Sequence, residues 1–336
     1  MKSVVITRLG GPEVLQLVDR DLPEPSRREV RVKVAAAGVA FADVLMRYGL
    51  YPGAPPVPFP PGYDIVGVVD AVGAEATGFK AGDNVAALTV TGGYSQFLVL
   101  PETELVRIPS GLDPAEAVSL VLNYTTAYQM LLRVAKVKVG TRVLIQGAGG
   151  GVGTAALELG RIAKLEMYGT ASKGKQELVR SYGAHAIDYK NEDFVAKIRE
   201  LTATGVDVVL DAVGGMNWWR SYQVLRKGGK LIGYGMSAAL SGQKTNKSVA
   251  IGSFLMLGLL KVAPTGKSAE WFNVTKLKEK HPAWFREDLA TLMNLLAEKK
   301  IHPVVAERLP MSQAQRAHEL LERAAITGKI VLMCQG

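Results

Sequence analysis

A run of glycines between an apolar strand and a helical pattern constrains this chain most: Gln146-Gly147-Ala148-Gly149-Gly150-Gly151-Val152-Gly153. Backbone without side chains can turn tightly off a strand and approach a pyrophosphate, whose charge then rests on the N-terminus of the following helix. The run reads as an A-x-G-x-x-G variant, with Ala148, Gly150 and Gly153 in register. The alternative is a glycine-rich turn that binds nothing, and the strand–turn–helix context argues against it.

The surrounding pattern agrees. Val143 to Gln146, Leu165 to Thr170, Ala186 to Ile187, Val206 to Leu210 and Lys230 to Tyr234 are apolar, strand-like runs. Between them lie helical patterns at Val152 to Ala163, Lys175 to Tyr182, Asp193 to Leu201 and Asn217 to Arg226. Strand alternating with helix predicts a doubly wound parallel sheet in an α/β protein. Before about Leu122 the chain is strand-rich instead, with β-prone runs at Val4 to Thr7, Val14 to Val18, Val30 to Ala36, Ile65 to Val72, Asn84 to Ala87 and Phe97 to Leu100. Gly/Pro turns separate these runs, Phe41 to Tyr48 reads as a short helix, and the proline-rich stretch Pro52 to Pro61 as a stiff loop. A small irregular β-barrel or sandwich is expected there. After about Ala263 the alternation stops. Trp284 to Lys299 and Gln313 to Ala325 look helical, and Lys329 to Met333 like a closing strand.

A length of 336 residues accommodates two domains, each with its own core. Cys334 is the single cysteine, which excludes a disulfide framework and any zinc site built on several thiolates. The net charge of +9 raises the question of an anionic partner, but the basic residues are dispersed and no nucleic-acid motif accompanies them. No specific nucleic-acid partner is expected. Lys2 and Arg8 flank a strand-like run rather than a leader's apolar core, and a cytoplasmic protein is expected. The uncharged run Ser248 to Leu260 has 13 residues, too few to span a bilayer, and is interrupted by Gly252 and Gly258. It is expected to be buried at a dimer interface or in the cleft between domains.

The strand after the glycine turn bears on the ligand. A protein that reads a free ribose usually places Asp or Glu at its end. Here the chain continues Gly169-Thr170-Ala171-Ser172-Lys173-Gly174-Lys175, without an acid. Hydroxyls and ammonium groups suit a 2′-phosphate, so NADPH is expected over NADH. The alternative is that both lysines are ordinary surface residues.

Further segments fall in a recognisable order. They are Gly38-Val39-Ala40-Phe41-Ala42-Asp43, Pro61-Gly62-Tyr63-Asp64-Ile65-Val66-Gly67, Gly82-Asp83, Asn123-Tyr124-Thr125-Thr126-Ala127-Tyr128, Gly183-Ala184 and Asp211-Ala212-Val213-Gly214-Gly215. With the glycine turn they resemble the medium-chain dehydrogenase/reductases over nearly the whole chain. Gly169-Thr170-Ala171-Ser172 and Tyr234-Gly235-Met236 are similar to the zinc-free quinone oxidoreductase branch, including its vesicle amine transport protein-like members. The resemblance implies a GroES-like β-barrel substrate domain (residues 1–125 and 264–336), a Rossmann NADP-binding domain (residues 126–263), an active site in the cleft between them, and a homodimer. By position it implies that Gly149, Gly150, Gly151, Val152 and Gly153 lie on the pyrophosphate and Thr126 near the nicotinamide. Thr170, Ser172, Lys175 and Tyr189 would surround the ribose and its 2′-phosphate, with Gly235, Met236 and Lys329 as further cofactor neighbours.

Departures from the pattern shape the expected chemistry. Zinc-dependent relatives carry a cysteine where Ala40 stands and His-Glu where Tyr63-Asp64 stands. His185, His281, His302 and His318 show no ligand spacing, and no metal is expected. Without one, nothing strong polarises an isolated carbonyl. Quinones and α,β-unsaturated carbonyls need less help, because conjugation spreads the charge that hydride brings. Tyr51 matches a tyrosine that the family places at the cleft, as the donor to the substrate oxygen, at the nicotinamide amide, or packed against the proline segment. Two function classes follow: an NADPH-dependent quinone or enone reductase, and an NADPH-binding protein with a scaffold or lipid-associated role. Ala40, where quinone oxidoreductases often have Asn, and the apolar run 248–260 lean toward the second.

Overall fold

Val30, Val32, Val34 and Ala36 alternate inward along an 11-residue strand, Glu29–Val39, and are fully buried in the first unit. The first half of this strand pairs antiparallel with Phe97–Pro101 and the second half with Lys329–Met333, while Asp64–Val72 runs along its other side. Register shifts against Asp64–Val72, one of them between Val34 and Ala36, bend the strand. The sheet continues through Asn84–Leu88 to Val106–Arg107 on one side. On the other, Val305–Pro310 lies parallel to Lys329–Met333. The GroES-like unit is thus completed by the C-terminal strand. The computed structural model describes residues 1–241 and 244–335.

The second unit carries a six-stranded sheet with every neighbouring pair parallel: His185–Asp188, Glu166–Ala171, Arg142–Gln146, Val206–Asp211, Leu225–Gly233 and Ser268–Trp271, in that spatial order. Its two central strands are apolar on both faces, since Val143, Leu144, Ile145, Val208, Val209 and Leu210 are all buried. Helices cover a parallel sheet on both sides, so polar alternation has no place there. The order is that of a Rossmann sheet, reversing between this sheet's first and fourth strands in sequence, Arg142–Gln146 and Val206–Asp211.

The two compact units are Met1–Thr125 with Lys278–Gly336, and Thr126–Leu277. The return to the first unit falls at 278 rather than at the expected 264. The reason is the short strand Ser268–Trp271, which pairs with Leu225–Gly233 and adds the sixth strand to the second unit's sheet. That strand was not expected, and Val305–Pro310 was not either.

A helix absent from the sequence reading starts at Pro114. Asp113 caps it, accepting from the amides of Ala115 and Glu116 at 3.0 Å, with proline in the first turn. It continues through wide, π-type turns at Leu120–Tyr124 and Gln129–Val134. Burial of nearly every side chain from Ala115 to Tyr124 leaves no polar face, so the period is hidden in the sequence.

The apolar run 248–260 forms most of a second such helix, Lys247–Val262. Leu257 and Leu260 pack into the core around Trp218 and Tyr222. Ile251, Leu255, Leu259 and Val262 fall on one stripe and are 62–77% exposed in the single chain. Among the described residues, no helix is long and apolar enough to cross a membrane.

Candidate functional site

The carboxyl edge of the parallel sheet is tied together by side chains before any ligand is considered. Gln146 accepts from Thr170 Oγ1 at 2.7 Å, and its amide donates to Ser221 Oγ at 3.2 Å. Ser221 in turn donates to Asp211 at 2.7 Å. Asp211 also accepts from Asn217 and from the amides of Val213 and Gly214. Burial still holds its carboxyl above the usual carboxylate range. Three neighbouring strands are thereby locked at the end where α/β sheets bind ligands. The sequence reading named Gln146 and Asp211 only as parts of motifs and gave no sign of Ser221, whose partner Gln146 lies 75 residues away.

The glycine turn sits on this edge. Gly147 turns with φ +72° and its amide donates to Thr170 Oγ1, after which Gly151–Ile162 forms the helix. A Cβ on Gly153 would come within 2.4 Å of the Gly147 carbonyl oxygen, so only glycine lets the helix start this close to the strand. The amides of Gly151, Val152 and Gly153 form its first turn, which has no intrahelical acceptors. Lys175 lies across the turn: a Cβ on Gly149 would meet its Cδ at 2.6 Å. Burial pushes the Lys175 ammonium below its ordinary pKa. Thr126 Oγ1 is buried and has no hydrogen-bond partner among the described residues. An open helix start, a lysine stem over glycine and an orphaned hydroxyl fit a dinucleotide.

The remaining candidates divide. Ser172 is half-buried and caps no amide of the following turn. Tyr189 follows the paired residues Asp188 and Ala171, level with Ser172, and is 51% exposed. Gly235 lies where a Cβ would strike the Ala212 carbonyl at 2.7 Å, beyond the end of the strand Leu225–Gly233. Thr170 and Met236 have buried side chains. The hydroxyl of Thr170 is engaged by Gln146 and Gly147, and Met236 packs with the core around Trp218.

Lys329 belongs to the first unit, where its ammonium lies 3.0–3.1 Å from both Asp64 oxygens. Both side chains are buried, and Gly38 leaves room for the pair. Near them, the Tyr51 and Tyr63 hydroxyls share a 2.7 Å hydrogen bond, with the rings edge to face. Asp43 is buried between the helix Phe41–Arg47 and the Gly62 turn. It accepts from the amides of Ala40 and Gly62 and from Tyr94 Oη. Burial raises its pKa to about 7. Among the described residues, no three or more His, Cys, Asp or Glu are grouped to hold a metal ion.

His318 Nε2 meets Tyr94 Oη at 3.2 Å, and the ring is fully buried. Burial and the nearby Arg47 guanidinium lower its pKa from 6.5 to about 3. The unfolded chain therefore binds a proton that the folded state refuses between these values, and the histidine weakens the fold as pH falls through that window. Asp43 acts oppositely between 3.8 and about 7, where the folded state keeps a proton that the unfolded chain has lost. The stability of His318→Gln relative to the parent should rise by about 1.4 kcal/mol per unit of acidification between pH 6.5 and 4. Urea unfolding at pH 7, 5.5 and 4.5 measures this, and parallel curves for the two proteins would refute it.

A Rossmann unit with a fitting dinucleotide cradle and a GroES-like unit closed by the C-terminal strand define a two-domain oxidoreductase that binds NAD(P). Residues 182–332 match the zinc-binding dehydrogenase family, and residues 26–110 match the alcohol dehydrogenase GroES-like domain. The chain is 30% identical to the quinone oxidoreductase of Homo sapiens, over 99% of this chain and 98% of that one. It is 32% identical to the synaptic vesicle membrane protein VAT-1 homolog of Danio rerio, over 98% of this chain and 69% of that one. Across the VAT-1 homologs and VAT-1 homolog-like relatives, the match spans 62% to 81% of their length. The structure of Escherichia coli quinone oxidoreductase complexed with NADPH superposes with a TM-score of 0.88 at 28% identity, covering 99% of this chain and 100% of that one. The chain belongs to the medium-chain dehydrogenase/reductase superfamily.

Proposed function

We propose that this protein is an NADPH-dependent, zinc-independent reductase of quinones or α,β-unsaturated carbonyls. The observation that carries the cofactor choice is the acid-free end of Glu166–Ala171, followed by Lys175 laid over Gly149. A carboxylate there would repel a 2′-phosphate, whereas Lys175 and Ser172 can receive it. The similarity to quinone oxidoreductases over the full chain supports the substrate class.

NADPH supplies the hydride. The chain's own residues hold and orient. The first-turn amides of Gly151–Ile162 take the pyrophosphate, and Thr126 Oγ1 takes a polar atom of the nicotinamide end. Tyr51 donates to the substrate oxygen. The positions where zinc-dependent relatives ligate metal are committed otherwise: Ala40 has no donor side chain, Tyr63 bonds Tyr51, and Lys329 neutralises Asp64. Only substrates that spread negative charge by conjugation suit such a site.

A homodimer is part of this reading, supported by the exposed stripe Ile251, Leu255, Leu259 and Val262. A light-scattering mass of one chain would remove it. The same stripe favours a second reading, an NADPH-binding protein with a scaffold or lipid-associated role. NADPH oxidation with a panel of quinones, enones and unconjugated ketones, before and after chelator treatment, separates these. Turnover confined to conjugated acceptors and unchanged by chelation is expected. Loss of turnover together with bound zinc would overturn the metal-free mechanism, and tight NADPH binding without any turnover would favour the second reading.

A further inference from the structure

Tyr63 has no part in the chemistry derived above beyond its contact with Tyr51, and that contact is built with care. Its side chain is nearly buried, and its carbonyl accepts from the amides of Thr89 and Val90 at 2.9 and 3.2 Å. The preceding Gly62 donates to buried Asp43, and its carbonyl accepts from Thr89 Oγ1 at 2.7 Å. Gly62 itself has φ +114°, and a Cβ there would press on the Tyr94 amide nitrogen at 2.6 Å. Tyr63 therefore projects from backbone fixed by at least four hydrogen bonds. Tyr51, half-buried, lies beyond the helix Phe41–Arg47, before the proline-rich stretch. The two oxygens are 2.7 Å apart, with ring centroids at 6.1 Å and planes at 78°.

We propose that Tyr63 is a positioning residue for the reduction: its hydroxyl donates to Tyr51 and so turns Tyr51's own proton toward the substrate oxygen. This inference rests on Tyr51 as the donor to substrate. A phenol has one hydrogen, and when its oxygen accepts from Tyr63 that hydrogen must point elsewhere. Accepting a hydrogen bond also polarises the Tyr51 O–H, which strengthens its donation to an oxygen gaining charge. The hydroxyl is then oriented before substrate arrives, and no rotor freedom is lost during reaction.

Tyr63→Phe keeps the ring and removes only the donor. It should lower kcat about 5- to 10-fold, while KM and the NADPH Kd stay within about 2-fold of the parent. Added to Tyr51→Phe, it should cause no further loss, because the group it positions is gone. Unchanged kcat in Tyr63→Phe, or a full additional loss on top of Tyr51→Phe, would overturn the proposal. A second readout does not depend on turnover. With 3-fluorotyrosine placed at position 51, the ¹⁹F line should move on Tyr63→Phe and stay in place on Tyr48→Phe. If Tyr51→Phe turns over normally, the assignment of Tyr51 fails and Tyr63 has no role left in the reduction. Where Tyr51→Phe lowers turnover, a moved ¹⁹F line upholds Tyr63 as the residue that orients Tyr51, and an unmoved line refutes it.

Discussion

Tyr51→Phe is expected to reduce turnover by about 10²–10³-fold with a quinone or enone acceptor, while leaving NADPH binding nearly intact. The physical basis is the charge that appears on the substrate oxygen as hydride arrives at the conjugated carbon. Under the zinc-independent mechanism proposed above, a hydrogen-bond donor is the means left to stabilise that charge. Partial access of solvent to Tyr51, which is half-buried, would reduce the loss toward about 10-fold, because water can then substitute for the missing donor. The ring remains, so its edge-to-face contact with Tyr63 is preserved and only the hydroxyl pair is broken. Three outcomes separate three roles. Lower kcat with unchanged cofactor affinity places the hydroxyl on the substrate. Weaker NADPH binding at unchanged turnover places it on the nicotinamide. No change in either, with a deuterium isotope effect from 4-deuterated NADPH showing hydride transfer to be rate-limiting, removes Tyr51 from the reaction.

Lys175→Glu should weaken NADPH by about 10- to 100-fold, the cost of losing a charge-assisted contact to a phosphate and putting repulsion in its place. NADH, which lacks the 2′-phosphate, should lose far less. The Lys175 stem already lies over Gly149, and an anion bound beside its partly desolvated ammonium favours the charged form. Fluorescence titration of both cofactors gives the two ratios directly. Equal losses for NADPH and NADH would refute Lys175 as the group that reads the 2′-phosphate and leave it a general contact at the glycine turn.

Local chemistry made part of this protein legible in its sequence. The glycine turn, the apolar strands of the parallel sheet and the helices between them follow from backbone freedom and hydrophobic period, which act over a few residues. The missing acid after Thr170 is read the same way, whereas the meaning of Ala40 comes only from the family resemblance. The helices Pro114–Ser119 and Lys247–Val262 were harder. One is buried around most of its circumference and the other is apolar on both its packed and exposed sides, so neither shows polar alternation. The short strands Ser268–Trp271 and Val305–Pro310 carry little period of their own and exist through their neighbours. Tertiary structure alone decided the long-range pairings within each unit. Lys329 meets Asp64 across 265 residues, and His318 meets Tyr94 across 224. Tyr51 meets Tyr63 across a proline-rich stretch, and Gln146 links Thr170 to Ser221 across the sheet edge. Such contacts depend on register and crossover rather than on neighbouring residues. A sequence can name the groups that must be satisfied on burial, but only the folded chain determines which partner satisfies each.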